Sequence, residues 1–258
     1  LWSQKPLQAW VRPFSRPWDA EMRKRLQAAW VIFTTWGPCL LITMLFGSLG
    51  ALAALLRIKS VARRCIHWWG KWNCWALQIK PQLSRSSQAH WADHLAKLKQ
   101  GVMIANHASN LDIIIIAALA PFDIRILAKH SLFKIPCLGW YLSACGHIPV
   151  YRGDQKHLNE SKGRKAIQKA LDEGATLFFF PEGTRSKDGQ LKPFKSGAFI
   201  AAEQHQLITY PIVVSGTSQL LRSGSRLIHH DPLSPCAIHF LPELESIQNS
   251  VEENLDFK

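Results

Sequence analysis

The pattern of apolar and polar positions changes near residue 80. Residues 30–56 contain no charged residue and form an apolar run long enough to cross a hydrocarbon core of roughly 30 Å. In the following segment, residues 65–79, Trp68, Trp72 and Trp75 recur at the spacing of one helix face. The first run predicts a membrane-embedded helix and the second an interfacial helix. For each, the alternative is a helix buried in a core.

From residue 101 onward, short apolar runs alternate with helical segments. The predicted strands lie at residues 101–105, 124–128, 147–151, 176–180, 209–216 and 237–241. The predicted helices lie at residues 111–120, 136–145, 157–174 and 196–206. This alternation predicts an α/β fold with a largely parallel sheet flanked by helices, preceded by the N-terminal helical segment.

Charge and tryptophan follow the same division. Residues 1–100 carry 15 Lys and Arg against three acidic residues, whereas residues 101–258 carry 16 against 15. Ten of the eleven tryptophans lie in residues 1–91. Indole rings and cations together are typical of the membrane–water interface, and a nucleic-acid enzyme would carry its basic charge on the domain that faces the groove. We therefore predict a basic, Trp-rich membrane-associating region at 1–80 and an α/β domain at 81–258, joined through a linker at 81–100.

The path of residues 30–56 stays open at this point. Basic residues flank both ends of the run, so the positive-inside rule does not choose an orientation. The Gly37-Pro38 pair and the glycines at 47 and 50 could break the helix and let the chain return on one side of the bilayer.

The cysteines and histidines do not form a metal-binding pattern. The six cysteines contain no C-x-x-C pair and the eleven histidines no H-E-x-x-H. We predict reduced thiols packed as small apolar residues, with no metal and no redox cofactor.

The stretch NHASNLD, Asn106 to Asp112, follows the first predicted strand of the α/β region. A structural interpretation makes Ser109 a helix N-cap with Asp112 in a capping box, which leaves His107 unexplained. A chemical interpretation makes His107 a base at the carboxyl end of a strand and Asp112 the carboxylate that orients it. Because the chain lacks a G-x-S-x-G elbow, such a pair would activate a hydroxyl group of the substrate.

The stretch FPEGTRS follows the apolar strand TLFFF. Gly183 permits close backbone approach, Thr184 supplies a hydroxyl, and Arg185 offers a two-pronged donor for phosphate or carboxylate. The alternative is a polar turn with an ion pair between Glu182 and Arg185.

Two further cations follow predicted strands. Lys129 comes after residues 124–128, and Arg152 comes after residues 147–151. If the strands are parallel, both lie at the same sheet edge as His107, and together they predict a site for a phosphorylated alcohol. Lys192 and Lys195 are interpreted as ordinary charges at a helix entry.

The blocks NHASNLD, AKHSLFKIPCLGW, PVYRG, FPEGTRS and YPIVVSG, in this order and spacing, resemble the 1-acyl-sn-glycerol-3-phosphate acyltransferase family, the PlsC-type lysophosphatidic acid acyltransferases. The resemblance covers about residues 60 to 240. It implies an α/β acyltransferase domain held at the membrane by the N-terminal helical region. The implied reaction moves an acyl chain from acyl-CoA or acyl carrier protein to the sn-2 hydroxyl of lysophosphatidic acid, giving phosphatidic acid.

The resemblance also implies roles for the motif residues. His107 and Asp112 would form the catalytic pair, and Lys129 and Arg185 would hold the phosphate. The turn of Glu182, Gly183 and Thr184 would shape the acceptor site. Arg152, in a block that is loosely patterned in the family, joins them as a substrate-binding residue.

The expected partners are the lipid bilayer, lysophosphatidic acid and the acyl donor, with no nucleic acid. The expected location is the cytoplasmic face of the inner, or plasma, membrane. Three alternatives stay open: an acyltransferase for another lysolipid or glycerol 3-phosphate, a non-catalytic membrane-binding protein, and a soluble hydrolase. The sequence does not set the acyl-chain length, the donor or the oligomeric state.

Overall fold

The structure is a computed structural model. It describes residues 17–84, 100–119, 123–155, 157–229 and 236–244. Most of the predicted linker at 81–100 lies outside the described residues. At its start the described chain forms a two-residue strand, Gln82–Leu83, where the sequence predicted no regular structure.

Two long helices precede the sheet, α1 (Pro17–Leu55) and α2 (Lys59–Ala76). The chain turns between them at Arg57, which adopts φ +60°. The turn is closed by a hydrogen bond from the Ile58 backbone N–H to the Ala53 carbonyl at 2.8 Å, as in a Schellman C-cap. The two packed helices therefore form a hairpin.

The break considered at the proline and glycines of α1 does not occur, because the helix is continuous through Pro38. Gly47 and Gly50 serve close packing instead. A Cβ atom on Gly47 would lie 2.9 Å from the Cys137 carbonyl oxygen, and one on Gly50 would overlap the ring of Tyr141. These glycines let α1 approach the α/β region closely.

The hairpin keeps a large apolar surface. Among the described residues, one helix, Glu21–Leu55, is long and apolar enough to cross a membrane. In α2 the side chains of Trp68, Trp72 and Trp75 are 39%, 49% and 70% exposed, whereas the Trp69 indole turns inward and donates to Thr43 at 2.9 Å. The predicted indole stripe is therefore at the surface and not in the core.

The sheet has seven strands in the order β1-β7-β6-β2-β5-β3-β4. The pair β6–β7 is antiparallel and every other pair is parallel. The strands are β1 (Gln82–Leu83), β2 (Gly101–Ala105), β3 (Ile124–Lys129), β4 (Ile148–Val150), β5 (Thr176–Phe179), β6 (Ile208–Ser215) and β7 (Ala237–Phe240). The predicted α/β fold with a largely parallel sheet is confirmed.

Within the described residues, five helices follow the first strand. They are α3 (Leu111–Leu119), α4 (Leu138–Ala144), α5 (Arg164–Asp172), α6 (Gly197–Gln204) and α7 (Thr217–Leu220). The predicted helix at 157–174 is shorter than expected, because its first part, Asn159–Gly163, is a π-helical turn. Short 3₁₀ turns at His130–Lys134 and Gly153–Gln155 follow β3 and β4.

Apolar side chains cover both faces of the sheet. Met103 of β2 and Phe178 of β5 belong to one buried cluster, while Val102 and Leu177 belong to the other, as period-2 alternation requires. The hairpin contributes Cys74 to the first cluster. The helical region thus shares a core with one face of the sheet, and the division at residue 80 stays a prediction.

The parallel topology brings the carboxyl ends of β2 to β6 to one edge of the sheet. We call this the carboxyl edge and the opposite one the amino edge. Ligands of open α/β sheets bind at the carboxyl edge, and the predicted site residues all follow strands that end there.

Candidate active site

His107 and Asp112 form a hydrogen-bonded pair between the end of β2 and the start of α3. The Asp112 Oδ2 atom lies 2.9 Å from His107 Nδ1. The same oxygen accepts the backbone N–H groups of Ala108 at 2.8 Å and Ser109 at 2.9 Å. The Asp112 side chain is fully buried. Because Oδ2 can only accept, we assign the proton to Nδ1, which leaves a lone pair on Nε2.

The two interpretations of this motif hold together. Ser109 acts at the helix start, where its hydroxyl accepts the Leu111 N–H at 3.3 Å and donates to the Leu221 carbonyl at 2.9 Å. Asp112 receives backbone donors in the first turn and also orients the imidazole. The cap geometry therefore builds the support of the His–Asp pair.

The surroundings of His107 fix its ring. The imidazole stacks on Phe180 with a centroid distance of 4.0 Å and an interplanar angle of 17°. The side chain is 20% exposed. Nε2 has no hydrogen-bond partner within the described part of the chain. The ring is thus immobilised, with one free nitrogen available to a substrate.

Glu182 links the two motifs of the sequence. Its Oε1 accepts the backbone N–H of His107 at 2.7 Å, and its Oε2 accepts that of Lys192 at 3.2 Å. A third bond runs from the Ser186 N–H to the His107 carbonyl at 2.8 Å. The ion pair with Arg185 considered as an alternative is not formed. Because Glu182 is 4% exposed and both of its oxygens accept backbone N–H groups, it holds the loop together.

The turn after β5 depends on Gly183, which adopts φ +68°. A Cβ atom there would lie 2.9 Å from Lys195 Nζ. Arg152, which follows β4, donates through Nη2 to the Gly183 carbonyl. The structure therefore brings Arg152 to the predicted E-G-T-R turn.

Around the E-G-T-R turn, cationic side chains outnumber free carboxylates. Lys192 Nζ donates to Thr184 Oγ1 at 3.0 Å and lies 3.4 Å from the Arg185 carbonyl. The half-buried Arg185 side chain has no ion pair or hydrogen bond among the described residues. Sequence reasoning set Lys192 and Lys195 aside as helix-entry charges. Their position within 15 residues of the E-G-T-R turn was the one feature of the sequence that could have indicated that they lie near the turn.

Lys129 ends β3, two strands away from β2 in the sheet. Its side chain is exposed and has no described contact with the His–Asp pair or the E-G-T-R turn. Lys129 thus shares the carboxyl edge without joining the cluster.

Asn106 was not singled out from the sequence. Its amide donates to the Val214 carbonyl at 3.0 Å and accepts the Val214 N–H at 2.8 Å. This two-bond clamp fastens the start of the motif to the end of β6. Beyond it lies a cavity of about 650 Å³ lined in part by Ala108, Ser186 and Arg222.

The possible metal ligands and the cysteine nearest the site were considered next to the His–Asp pair. No group of three His, Cys, Asp or Glu side chains in the described ranges is placed to hold a metal ion. Cys236 lies close enough to Asp112 for an electrostatic interaction between the thiol and the carboxylate. Burial and, after it, that charge raise the pKa of the Cys236 thiol to about 12, so it stays protonated and is a poor nucleophile.

Known proteins resemble this chain in sequence and in fold. The family model "Acyltransferase" matches residues 86–215. The chain is 34% identical to a chloroplastic 1-acyl-sn-glycerol-3-phosphate acyltransferase of Brassica napus, over 60% of this chain and 46% of that protein. It is 32% identical to the 1-acyl-sn-glycerol-3-phosphate acyltransferase of Saccharomyces cerevisiae, over 68% of this chain and 57% of that protein.

A solved structure shares the fold. It is the crystal structure of the 1-acyl-sn-glycerophosphate acyltransferase PlsC from Thermotoga maritima, with a TM-score of 0.68 and 21% identity. The match covers 89% of this chain and 93% of that one. The chain spans about half the length of the curated relatives that it matches.

An α/β sheet with a His–Asp pair at its carboxyl edge and a membrane-helix candidate before it defines the class of protein. The chain belongs to the acyltransferase family, and the resemblance found in its motifs is confirmed.

Proposed function

We propose that this protein acylates the sn-2 hydroxyl of lysophosphatidic acid, using an acyl thioester of coenzyme A or acyl carrier protein, to give phosphatidic acid. The observation that carries the proposal is the 2.9 Å contact between His107 Nδ1 and the buried Asp112 carboxylate, with Nε2 left free. The names of the relatives support the choice of acceptor, since both curated relatives are 1-acyl-sn-glycerol-3-phosphate acyltransferases.

The pair acts as a general base. His107 Nε2 takes the proton of the acceptor hydroxyl while its oxygen attacks the thioester carbonyl. The carbon–sulfur bond then breaks, and the imidazolium returns the proton to the leaving thiolate. Asp112 stabilises the imidazolium, as the carboxylate does in other His–Asp pairs. Base catalysis of this kind contributes about 10²–10⁴-fold, and the alignment of two bound substrates contributes much of the remainder.

The cations of the carboxyl edge support a phosphate-bearing acceptor. The Arg185 side chain has no partner among the described residues, and Lys192 Nζ contacts Thr184 and the Arg185 carbonyl on the same turn. Lys195, whose Nζ lies beside Gly183, adds a third cation to this turn, which is joined to the His107 carbonyl through the Ser186 N–H. A guanidinium binds a phosphate monoester through two parallel hydrogen bonds, so Arg185 is the residue that we assign to the phosphate. The resemblance also assigns Lys129 to the phosphate. Lys129 lies on the same edge of the sheet but outside this cluster, so its contact with the phosphate stays a prediction.

Glu182 and Arg152 are assigned positioning roles. Glu182 holds the backbone of His107, and Arg152 holds the carbonyl of Gly183. Both stabilise the loop that presents Arg185, whereas the resemblance implied that Glu182 shapes the acceptor site and that Arg152 binds substrate.

The helical hairpin supports the lipid partner. The exposed apolar face of α1 and the indoles of Trp68, Trp72 and Trp75 suit a bilayer and its interface. We place the domain on the cytoplasmic face of the inner (plasma) membrane, where both thioester donors are found.

The test is acyl transfer by the full chain in neutral detergent micelles with labelled acyl-CoA or acyl carrier protein. Lysophosphatidic acid, lysophosphatidylcholine and glycerol 3-phosphate are offered as separate acceptors. We expect phosphatidic acid from the first acceptor at a kcat/KM at least about tenfold above that for the choline lipid. The choline lipid is a phosphodiester with one anionic oxygen fewer, and one charge-assisted hydrogen bond is worth about 1.5–3 kcal/mol.

Each alternative has its own result. Equal transfer to lysophosphatidylcholine would contradict the phosphate-monoester assignment, and preferred transfer to glycerol 3-phosphate would move the acceptor to the sibling reaction. No transfer from either donor to any acceptor would contradict acyl transfer itself.

A further inference from the structure

A second cavity lies at the amino edge of the sheet, away from the His–Asp pair. It has a volume of about 460 Å³. Its inner wall is formed where β3 and β4 begin, by Arg125 and His147, and by Glu173 just before β5. Its mouth is formed by the turn between α1 and α2 and by Lys169 of α5. Because β3 has six residues, the two edges are about 20 Å apart along the strand, so a ligand here does not touch His107.

Two buried N–H donors on residues of this cavity have no hydrogen-bond partner in the part of the chain that the structure describes. His147 is 5% exposed, and its Nδ1 accepts the Ile126 backbone N–H at 3.0 Å, so its proton is on Nε2. Arg125 is 8% exposed, and its two terminal nitrogens contact Asp123 and, at 3.2 Å, Glu173. His147 Nε2 and Arg125 Nε are both buried without a hydrogen-bond partner among the described residues. A buried N–H group without a hydrogen bond lowers the stability of the folded chain by about 1–3 kcal/mol, so both groups require an acceptor.

The two residues that carry these donors, Arg125 and His147, both line this cavity. Gly146 directly precedes His147, and a Cβ atom on it would lie 3.4 Å from Arg125 Nε, so the two residues are close in space. Both donors present N–H groups and neither offers an acceptor, because Nδ1 of the histidine is already used. A ligand that pairs both donors therefore supplies acceptor oxygens.

The charges of the cavity favour an anion. Five cations line it, against the two carboxylates of Asp123 and Glu173. Both carboxylates are paired with Arg125, and Asp123 also lies 3.6 Å from Arg63. The remaining cations are Arg57, Lys59 and Lys169, which have no ion pair within the described part of the chain.

We propose that the amino-edge cavity is a second anion site, which binds a phosphate group between the buried N–H donors of Arg125 and His147 and the cations of its mouth. The phosphate comes from a free phosphate ion or from the headgroup of an anionic phospholipid. The mouth lies at the turn after α1, beside the exposed side chains of Leu55 and Leu56, which places lipid phosphate within reach. This site goes beyond the acyl transfer proposed above and does not depend on it.

Cys145 offers a local readout. It lines the same cavity and is partly exposed, whereas the other five cysteines are buried. Burial raises the pKa of its thiol to about 11, so its modification by a small neutral thiol reagent is slow enough to follow. Mass spectrometry of the full chain in neutral detergent micelles measures the rate at Cys145 as a ligand is titrated.

One arm uses inorganic phosphate and the other uses micelles doped with phosphatidylglycerol or, as the zwitterionic comparison, phosphatidylcholine. We expect saturable protection of Cys145. Protection by inorganic phosphate assigns the site to the free ion, and protection by phosphatidylglycerol alone assigns it to a lipid headgroup.

A matched pair of double variants tests the site. Arg57→Gln with Lys169→Gln removes two mouth cations, and we expect the half-protecting concentration to rise at least about tenfold. Arg64→Gln with Lys165→Gln removes the same charges from exposed positions that do not line the cavity, and we expect a change of less than about twofold. No protection by any ligand, equal protection by phosphatidylcholine, or equal loss in both double variants would overturn the proposal.

Discussion

At the carboxyl edge of the sheet, His107 points Nδ1 at a carboxylate. At the amino edge, His147 points Nδ1 at a backbone N–H. The first partner is an acceptor, so the other nitrogen of His107 keeps a lone pair and can remove a proton. The second partner is a donor, so the other nitrogen of His147 carries a hydrogen and can only donate. Two histidines of one sheet thus differ in function because of the group that each meets at Nδ1.

The exposure of the two histidines also agrees with these two roles. His107 is 20% exposed, as a base that meets a substrate must be. Burial and then the charge of Arg125 lower the pKa of His147 to about 3, so it stays neutral at every physiological pH. The base therefore belongs to the carboxyl edge, and the fixed hydrogen-bond donor to the amino edge.

The largest expected effect concerns the His–Asp pair as a unit. We expect His107→Gln to lower kcat by about 10²–10⁴-fold and Asp112→Asn by up to about 10⁴-fold, because an amide no longer holds the imidazole in the required tautomer. Because Asp112 acts through His107, the double variant should be no slower than His107→Gln alone. Steady-state kinetics of the three variants measure this. If the loss in kcat of the double variant equalled the product of the two single losses, Asp112 would act independently of the imidazole.

Arg185 sharpens the assignment of the phosphate to the carboxyl edge. Arg185→Ala should raise the KM for the lysolipid by about 10–100-fold, since a charge-assisted contact is lost. Arg185→Lys retains the charge but not the two-pronged geometry, so its KM should fall between the two. Titration of the acceptor at saturating donor provides the values. An unchanged KM in Arg185→Ala would place the phosphate elsewhere.

A smaller effect concerns stability and tests the amino edge. The pKa of His147 is about 3 in the folded chain against an ordinary 6.5. Above pH 6.5 both states are neutral there and the contribution to stability is complete. As the pH falls from 6.5 toward 3, only the unfolded chain takes up the proton, so stability declines by up to about 1.4 kcal/mol per pH unit.

The matched variant is His147→Asn, which retains an acceptor for the Ile126 N–H but cannot titrate. Thermal unfolding of both proteins between pH 7.5 and 4.5 isolates the histidine. We expect the difference in melting temperature to shrink as the pH falls. A difference that does not change with pH would contradict the neutral, buried state of His147.

The fold was largely predictable because it follows from periodicity. Apolar runs of strand length separated by helical segments predict a parallel sheet, and parallel strands place His107 and Arg185 at one edge without any knowledge of contacts. The Asn106–Asp112 spacing also predicted the His–Asp contact, since both residues lie within one strand-to-helix turn.

The features that the sequence did not predict come from long-range packing. Gly47 and Gly50 were considered as helix breakers, yet they serve the close approach of α1 to α4. The role of Glu182 in shaping the acceptor site stays a prediction, and the sequence did not indicate that its carboxylate accepts the N–H of a residue 75 positions away. The amino-edge cavity had no sequence signal, because its donors Arg125 and His147 stand 22 positions apart and meet only through the sheet.

The most direct test of the central claim is acyl transfer from labelled acyl-CoA or acyl carrier protein to lysophosphatidic acid by wild type, His107→Gln and His205→Gln side by side. His205 lies just after α6 and outside the proposed sites, so it controls for the loss of a histidine as such. The account predicts phosphatidic acid from wild type and His205→Gln, and at least about a hundredfold less from His107→Gln at an unchanged melting temperature. Turnover by His107→Gln near that of wild type would contradict the account, because the base would then lie elsewhere.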